Sequence, residues 1–308
     1  MESKKETIKV WPRKDISRET YMTRVTGKRG AGRGYELEGA VAMYPSVTHI
    51  LSYTTVKHAL PQWYAKKVAE KAGEEAWKLS MSSHDNIFNQ EEFVETIKSA
   101  PSEEFKHAGK VGTEAHDLIN KAIRYKMDNP YTKWDDVRRE CTKDSFRILE
   151  VDKAFDNWLV FITANYPDIV FLETEFATYI DGHVVSPDHG GTVNIPLYAG
   201  TVDAVGLTEN KLVVFDWKTG SGIYDEAGYQ VAAYCNSIWN GSPLLSTIYG
   251  GITGAVVRLS KTDEEFEVKT ITDWERPSIV FKTMCSLYTQ LSYPVFDKKA
   301  RKKKVSNA

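Results

Sequence analysis

Gly200-Thr-Val-Asp-Ala-Val-Gly-Leu-Thr-Glu-Asn-Lys-Leu-Val-Val-Phe-Asp-Trp-Lys218 is two apolar runs separated by a short polar break, Thr208-Glu209-Asn210-Lys211. With a two-residue turn at Glu209-Asn210, Thr208 pairs with Lys211. Counting back from that pair sets Asp203 opposite Asp216. Directly opposed residues hold their side-chain stems about 5 Å apart. Two ionised carboxylates that close destabilise a sheet unless a cation lies between them. Asp216 and Lys218 are two apart and share a face of their strand. Two acids and a lysine therefore converge on one spot, a layout suited to a divalent metal beside a phosphate.

Working outward, the next segments alternate between elements. Tyr224 to Trp239 has helical periodicity, Leu245 to Leu259 and Phe266 to Ile271 read as strands, and Pro277 to Leu291 reads as a final helix. Upstream, Ile169 to Ile180 is β-rich, with Glu173 and Glu175 on one face and Leu172, Thr174 and Phe176 on the other. Asp181 to Pro196 reads as a loop or irregular hairpin. Its His183, Asp188 and His189 suit a mobile loop better than a second metal site. Asp144 to Asn165 is a helix with Phe146, Leu149, Phe155, Trp158 and Phe161 as its core residues. Phe105 to Met127 is another, on the spacing of Ala108, Val111, Ala115, Ile119 and Ala122, with Gly112 and His116 adjoining that face. Short helices are expected at His49 to Tyr53, capped by Ser46 or Thr48, and at Gln90 to Ser99. A longer one, Gln62 to Leu79, would bury Trp63, Val68 and Ala72. The order is helices, three strands, helix, two strands, helix, which is α/β with a mixed sheet.

Residues 1–44 read as an irregular, flexible basic arm. Four glycines and three cations (Lys28, Arg29, Arg33) fall within Gly27–Gly34. The run lacks the Lys-Ser/Thr ending and flanking strand of a P-loop. It reads as a solvated linker first and a phosphate contact second. Residues 296–308 are a basic, disordered tail in which Lys302 and Lys303 either solubilise the chain or contact phosphates. The domain proper is expected over 45–295, helical over 45–167 and sheet-cored over 168–295.

The chain has 308 residues, 42% hydrophobic and 27% charged, as expected of a globular protein with a sizeable core. Its net charge of -2 means that any polyanion-binding surface has to be local. No apolar run is long enough to cross a bilayer, and the polar N-terminus lacks a secretory signal's apolar centre. The cysteines, Cys141, Cys235 and Cys285, are too scattered for a metal pair or a disulfide framework, which points to a reducing cytoplasm.

In chain order the sequence carries Gly112-Thr-Glu-Ala-His116, Glu173/Glu175, Gly200-Thr-Val-Asp203, Asp216-Trp-Lys218-Thr-Gly220 and Tyr229-Gln230-Val-Ala-Ala-Tyr234. With Pro45-Ser-Val-Thr-His-Ile-Leu and Leu60-Pro-Gln-Trp63, this resembles the PD-(D/E)xK nuclease superfamily. Within it the RecB-type exonuclease branch, including phage-type and mitochondrial-genome-maintenance exonucleases, is the nearest likeness. An Asp-x-Lys triplet alone occurs by chance; five pieces in order are far more specific. The resemblance spans roughly residues 44 to 240. It implies a restriction-endonuclease-like core with a helical N-terminal portion, and metal-assisted phosphodiester hydrolysis of DNA by an activated water. Replication, recombination or DNA processing would be the setting, with proteins of those pathways as possible partners and no membrane.

On this resemblance Asp203 and Asp216 offer hard oxygens for Mg²⁺, with Mn²⁺ able to substitute. His116 and the Trp217 backbone carbonyl complete the coordination, and Glu175 or Glu173 supports a second metal or orients water. Lys218 orients the attacking water or stabilises charge on phosphorus. Gln230 and Tyr234, one helical turn apart, flank the site, Tyr234 serving as a backbone contact or as packing. Thr219-Gly220 brings a backbone N–H near phosphate. Trp63, Tyr64 and Trp77 either stack on unpaired bases or pack in the core. Some relatives hold an iron–sulfur cluster on four cysteines; three scattered ones imply no cluster here. The alternatives are a structure-specific endonuclease or nickase of the same fold and a non-catalytic nucleic-acid-binding module.

Overall fold

The computed structural model describes residues 5–12, 19–26, 33–39, 43–55, 59–81, 89–143, 148–185, 192–209, 211–242 and 248–291. Leu212-Val-Val-Phe215 is apolar on both faces because its strand, β7 (Lys211–Lys218), is the middle of a five-stranded sheet covered on both sides. The sheet order is β5 (Val170–Val185), β6 (Thr192–Thr208), β7, β8 (Gly251–Leu259) and β9 (Phe266–Ile271). The β5/β6, β6/β7 and β8/β9 pairs are antiparallel and β7/β8 is parallel. The parallel step requires a crossover, supplied by helix α6 (Asp225–Gly241).

Two apolar layers sandwich this sheet. On one face, α3 (Gln90–Asp128), α4 (Trp134–Thr142) and α5 (Leu149–Asn165) pack Ile119, Phe155, Trp158 and Phe161 against Phe215 and Trp217. On the other, α1 (Val47–Thr54), α6 and α7 (Glu275–Leu291) pack Ile50, Val231, Cys235 and Phe281 against Val205, Val214 and Val256. Successive strand residues point to opposite faces, so Phe215 and Trp217 enter the first layer while Val214 and Asp216 face the second. Five strands and the six helices of these two layers make the core mixed α/β among the described residues.

The N-terminal region departs from the expectation of an irregular arm. Strands β1 (Lys5–Lys9), β2 (Tyr21–Thr26), β3 (Arg33–Leu37) and β4 (Met43–Pro45) form a second, antiparallel sheet. Ile8, Met22, Tyr35 and Tyr44 are buried against Ala177, Tyr179 and Ala199 of β5 and β6. Each strand carries only one or two buried apolar side chains, too few for a visible period of two. Their partner surface lies more than 130 residues away, as the Tyr44–Asp181 hydrogen bond (2.6 Å, separation 137) illustrates.

Other boundaries move for local reasons. The expected helices Gln90 to Ser99 and Phe105 to Met127 are one helix, α3, which continues through Pro101 at the loss of one backbone hydrogen bond. Helix α1 starts two residues before His49, at Val47, with Ser46 as its cap. Helix α4 lay unassigned in the sequence; its signals are Asp135 and Asp136 in the first turn and buried Val137 and Cys141 at helical spacing. Helix α5 begins at Leu149, which is 69% exposed rather than in the core; residues 144–147, with Phe146, lie outside the described residues. Among its described side chains helix α2 (Ala59–Met81) buries none, so Trp63, Val68 and Ala72 do not line a core, and Trp77 and Tyr64 are exposed. Of the loop or irregular hairpin expected over 181–196, the structure has the hairpin, with β5 and β6 paired through Val185↔Thr192; Asp188 and His189 lie outside the described residues. Strand β8 begins at Gly251, not Leu245, where a φ of +157° suits a glycine. No described helix is long and apolar enough to cross a membrane.

Candidate metal centre

The β6/β7 hairpin has the register that its sequence implies. Thr208 pairs with Lys211, and the ladder runs to Ala204↔Phe215. One step on, Asp203 stands opposite Asp216. On the other side of β6 the flanking pairs Thr174↔Ala204 and Phe176↔Val202 set Glu175 opposite Asp203. By extension of these registers, Glu175, Asp203 and Asp216 fall at one level of three neighbouring strands, although the ladders themselves skip these pairs. The β6/β7 ladder stops at this row, and the Trp217 N–H donates instead to Asp203 Oδ2 at 2.7 Å. A strand residue's N–H and C=O point the same way, so the Trp217 carbonyl also faces Asp203.

Two helices deliver the remaining groups. From α3, His116 Nδ1 lies 3.4 Å from Asp203 Oδ1. One turn earlier Gly112 lets α3 approach the strand end: a Cβ there would lie 3.1 Å from Thr219 Oγ1. From α6, Gln230 Nε2 donates to Asp216 Oδ1 at 2.9 Å and to Tyr234 Oη at 3.1 Å, while its Oε1 accepts from Lys218 Nζ at 3.3 Å. Lys218 Nζ is also 2.6 Å from Asp216 Oδ2. That oxygen is buried and, despite the nearby ammonium, accepts no directed hydrogen bond.

His116, Glu175 and Asp203 each offer a ligand atom, all within 4.8 Å of one another. Asp216 stands outside this trio, its oxygens turned to Lys218 and Gln230. One imidazole and two carboxylates suit a divalent cation. Crowded acids fit a cationic partner better than they fit one another. His116, Glu175 and Asp203 would hold the ion, with the Trp217 carbonyl facing it.

The electrostatics carry the same signature of acids confined together. Burial, then the neighbouring Asp203 carboxylate, raises Glu175 to about 8. Burial also raises Asp216 to about 6, with Asp203 adding to the effect against Lys218's opposition. Burial disfavours a charged His116, but Asp203 overrides it and raises the imidazole to about 9. Burial likewise opposes ionised Asp203, yet His116, Lys218 and the Trp217 N–H hold it below the usual carboxylate range. Lys218 is held above its ordinary value by Asp216 and Asp203 despite its own burial.

Several expected site residues change role. Glu173 and Glu175 do not share a face. The left-handed φ of +49° at Glu175 breaks the alternation between them. Glu173 turns to Lys9 of β1 (3.8 Å), leaving Glu175 at the site. Tyr234, expected as a nucleic-acid contact, is 2% exposed, packs against Gly200 and reaches the site only through Gln230. Thr219 lies beside Gly112 rather than in open solvent. Arg33 starts β3, while Lys28, Arg29, Lys302 and Lys303 lie outside the described residues. Cys141, Cys235 and Cys285 are buried free thiols. Arg124 and Thr174, which brace the Glu175 backbone, were not singled out from the sequence. The only signal for Arg124 was its spacing of four and eight from Asn120 and His116.

No family model matches the chain, and no curated protein matches it. Among solved structures, one titled "Crystal structure of SSO0001" is 15% identical, covering 75% of this chain and 88% of that chain at a TM-score of 0.27. A likeness at that level assigns neither fold family nor activity.

Proposed function

We propose that this protein is a metal-dependent deoxyribonuclease with a restriction-endonuclease-like core, acting on DNA ends. The row of Glu175, Asp203 and Asp216, with His116 on one side and Lys218 on the other, carries the reading. It combines a compact divalent-ion donor set with an ammonium group held beside it.

The ion, when bound, supplies positive charge against the phosphate and a readier deprotonation of water. The chain's own groups do the rest. Asp216 and Gln230 hold the Lys218 ammonium at the edge of the donor set, where it can orient the attacking water or stabilise charge on the phosphoryl oxygens. Gln230 cannot swing freely, because Tyr234 and Asp216 both take its N–H groups. Asp203 is fixed by the Trp217 N–H, so its second oxygen remains directed toward His116 and Glu175. The exposed Trp77 and Tyr64 on α2 offer ring faces to unpaired bases.

The test is digestion of end-labelled single- and double-stranded DNA, with either terminus blocked, with and without Mg²⁺ or Mn²⁺. Cleavage that needs the ion and a free end is expected. Lys218→Ala should abolish cleavage and spare DNA binding. Purified wild-type protein that binds DNA but cuts neither DNA nor RNA with either ion would refute the enzymatic reading. Cleavage with both ends blocked would favour the endonuclease alternative.

A further inference from the structure

Glu175 is the one trio member whose backbone works against its position. Its φ of +49° lies in the left-handed region, where a glutamate is disfavoured. Such conformations persist only where the surroundings enforce them. The peptide preceding Glu175 is enforced from two directions. Arg124 Nη2, from α3, donates to the Thr174 carbonyl at 3.0 Å. Thr174 Oγ1 donates to the Asp203 carbonyl at 2.7 Å, and Thr174 is itself buried. Arg124 is steadied in turn by Asn120, whose Oδ1 accepts from its Nε at 3.0 Å.

His116, Asn120 and Arg124 are spaced by four along α3 and so lie on one helical face. That face presents one metal donor directly and reaches the backbone of a second, two strands from the hairpin turn. The Thr174–Glu175 peptide sets the starting plane for rotation about the Glu175 N–Cα bond. Held by the guanidinium, it aims the carboxylate at Asp203 and His116. Without that bond, Glu175 can relax to extended backbone, and its side chain then turns out of the row.

We propose that Arg124 is a positioning residue for the metal centre, acting through the Thr174 carbonyl to aim Glu175, with Asn120 as its support. This rests on reading the His116–Glu175–Asp203 group as a divalent-ion site. The test is Mn²⁺ titration calorimetry on the full chain in metal-free buffer. Wild type is compared with Arg124→Met, Arg124→Lys, Asn120→Ala, Glu175→Gln and the double variant Arg124→Met/Glu175→Gln. Loss of a group that orients a metal ligand typically weakens affinity about 10–100-fold, and Arg124→Met should fall in that range. Arg124→Lys should recover part of the loss, since an ammonium can still donate to one carbonyl. Arg124→Met should add no further loss in the Glu175→Gln background, as a residue acting only through Glu175 must.

Circular dichroism and urea midpoints of the metal-free variants separate aim from folding. If Arg124→Met does not fold, Asn120→Ala, which leaves the guanidinium in place but unsteadied, makes the same comparison. Wild-type binding with unchanged affinity in the Arg124 and Asn120 variants overturns this proposal alone. So does a full additional loss in the double variant. Failure of the wild type to bind Mn²⁺ overturns the metal reading and this proposal with it.

Discussion

Glu175→Gln should reverse its effect on stability when a divalent ion is added. The side chain keeps its shape, so the perturbation is the removal of one ionisable group. In the metal-free protein, burial and Asp203 raise Glu175 to about 8, whereas the unfolded chain ionises near the ordinary value of about 4.3. A raised native value means that the native state holds its proton more tightly. This contribution to stability is fully present below the unfolded value and is lost as pH rises through about 8. Between pH 7 and 9, on either side of that value, the wild type loses roughly 1.4 kcal/mol that the glutamine variant never had to lose. His116 also sheds stability as pH rises through about 9. It does so in both chains, and the difference between them mostly isolates Glu175. With EDTA present, the stability of Glu175→Gln relative to wild type should therefore rise by about 1.4 kcal/mol from pH 7 to pH 9. With Mn²⁺ at 100 times its dissociation constant, the wild type gains about 2.7 kcal/mol, and the variant, missing one of three donors, gains far less. Urea unfolding followed by tryptophan fluorescence at the two pH values, with EDTA and with Mn²⁺, measures all four differences. A gap that does not change with pH would show that Glu175 titrates normally. Equal stabilisation of both chains by Mn²⁺ would show that Glu175 is no ligand.

Metal affinity in the wild type should itself rise with pH up to about 9, because the ion must displace protons from both Glu175 and His116; calorimetric titration in buffers of different ionisation heat would detect the released protons. Asp203→Asn can still accept from the Trp217 N–H and should fold, yet lose Mn²⁺-dependent stabilisation, as read by thermal unfolding with and without the ion. Gly254→Ala places a Cβ 2.2 Å from Val231 Cγ1 between β8 and α6 and should cost about 1–3 kcal/mol in urea unfolding by overpacking. Gly200→Ala drives a Cβ to 2.6 Å from the Tyr234 ring. The ring must shift, its hold on Gln230 loosens, and nuclease turnover should fall more than Mn²⁺ affinity, since Gln230 serves Lys218 and Asp216 rather than the donor trio.

The hairpin was legible because everything that fixes it is local. The Thr208–Lys211 turn sets the register, and the register sets Asp203 against Asp216 without reference to the rest of the chain. The same holds for Ser46 as the cap of α1 and for Phe155, Trp158 and Phe161 of α5, where the apolar period alone identifies the inner face. What was not legible depends on distant partners. The N-terminal sheet exists because the β5/β6 hairpin offers Ala177, Tyr179 and Ala199 as a floor for Ile8, Met22 and Tyr35. Conversely, α2 has an apolar spacing that suggests a core, and no buried residue among its described side chains to match it. That Glu173 and Glu175 were expected on one face has a related reason: strict alternation assumes extended backbone throughout, and here Glu175 has a φ of +49°.

The position where alternation fails is also the position where the backbone is strained, and that coincidence bears on function. A strand optimised only for pairing would place Glu175 in extended backbone. Here the chain instead keeps a left-handed glutamate, spends an arginine and a buried threonine bracing it, and brings three acids into one row. Each feature is unfavourable to the empty fold: disfavoured φ, desolvated carboxylates and like-charge repulsion. Core packing gains nothing from any of them, since Phe176 and Val202 beside the row are already buried. Local rules broken together at one spot, with supporting residues arranged around the breach, mark a site whose stabilising partner comes from outside the chain. On the metal-dependent reading proposed above, that partner is a hard cation held by His116, Glu175 and Asp203, with an anion beside Lys218 as its next neighbour.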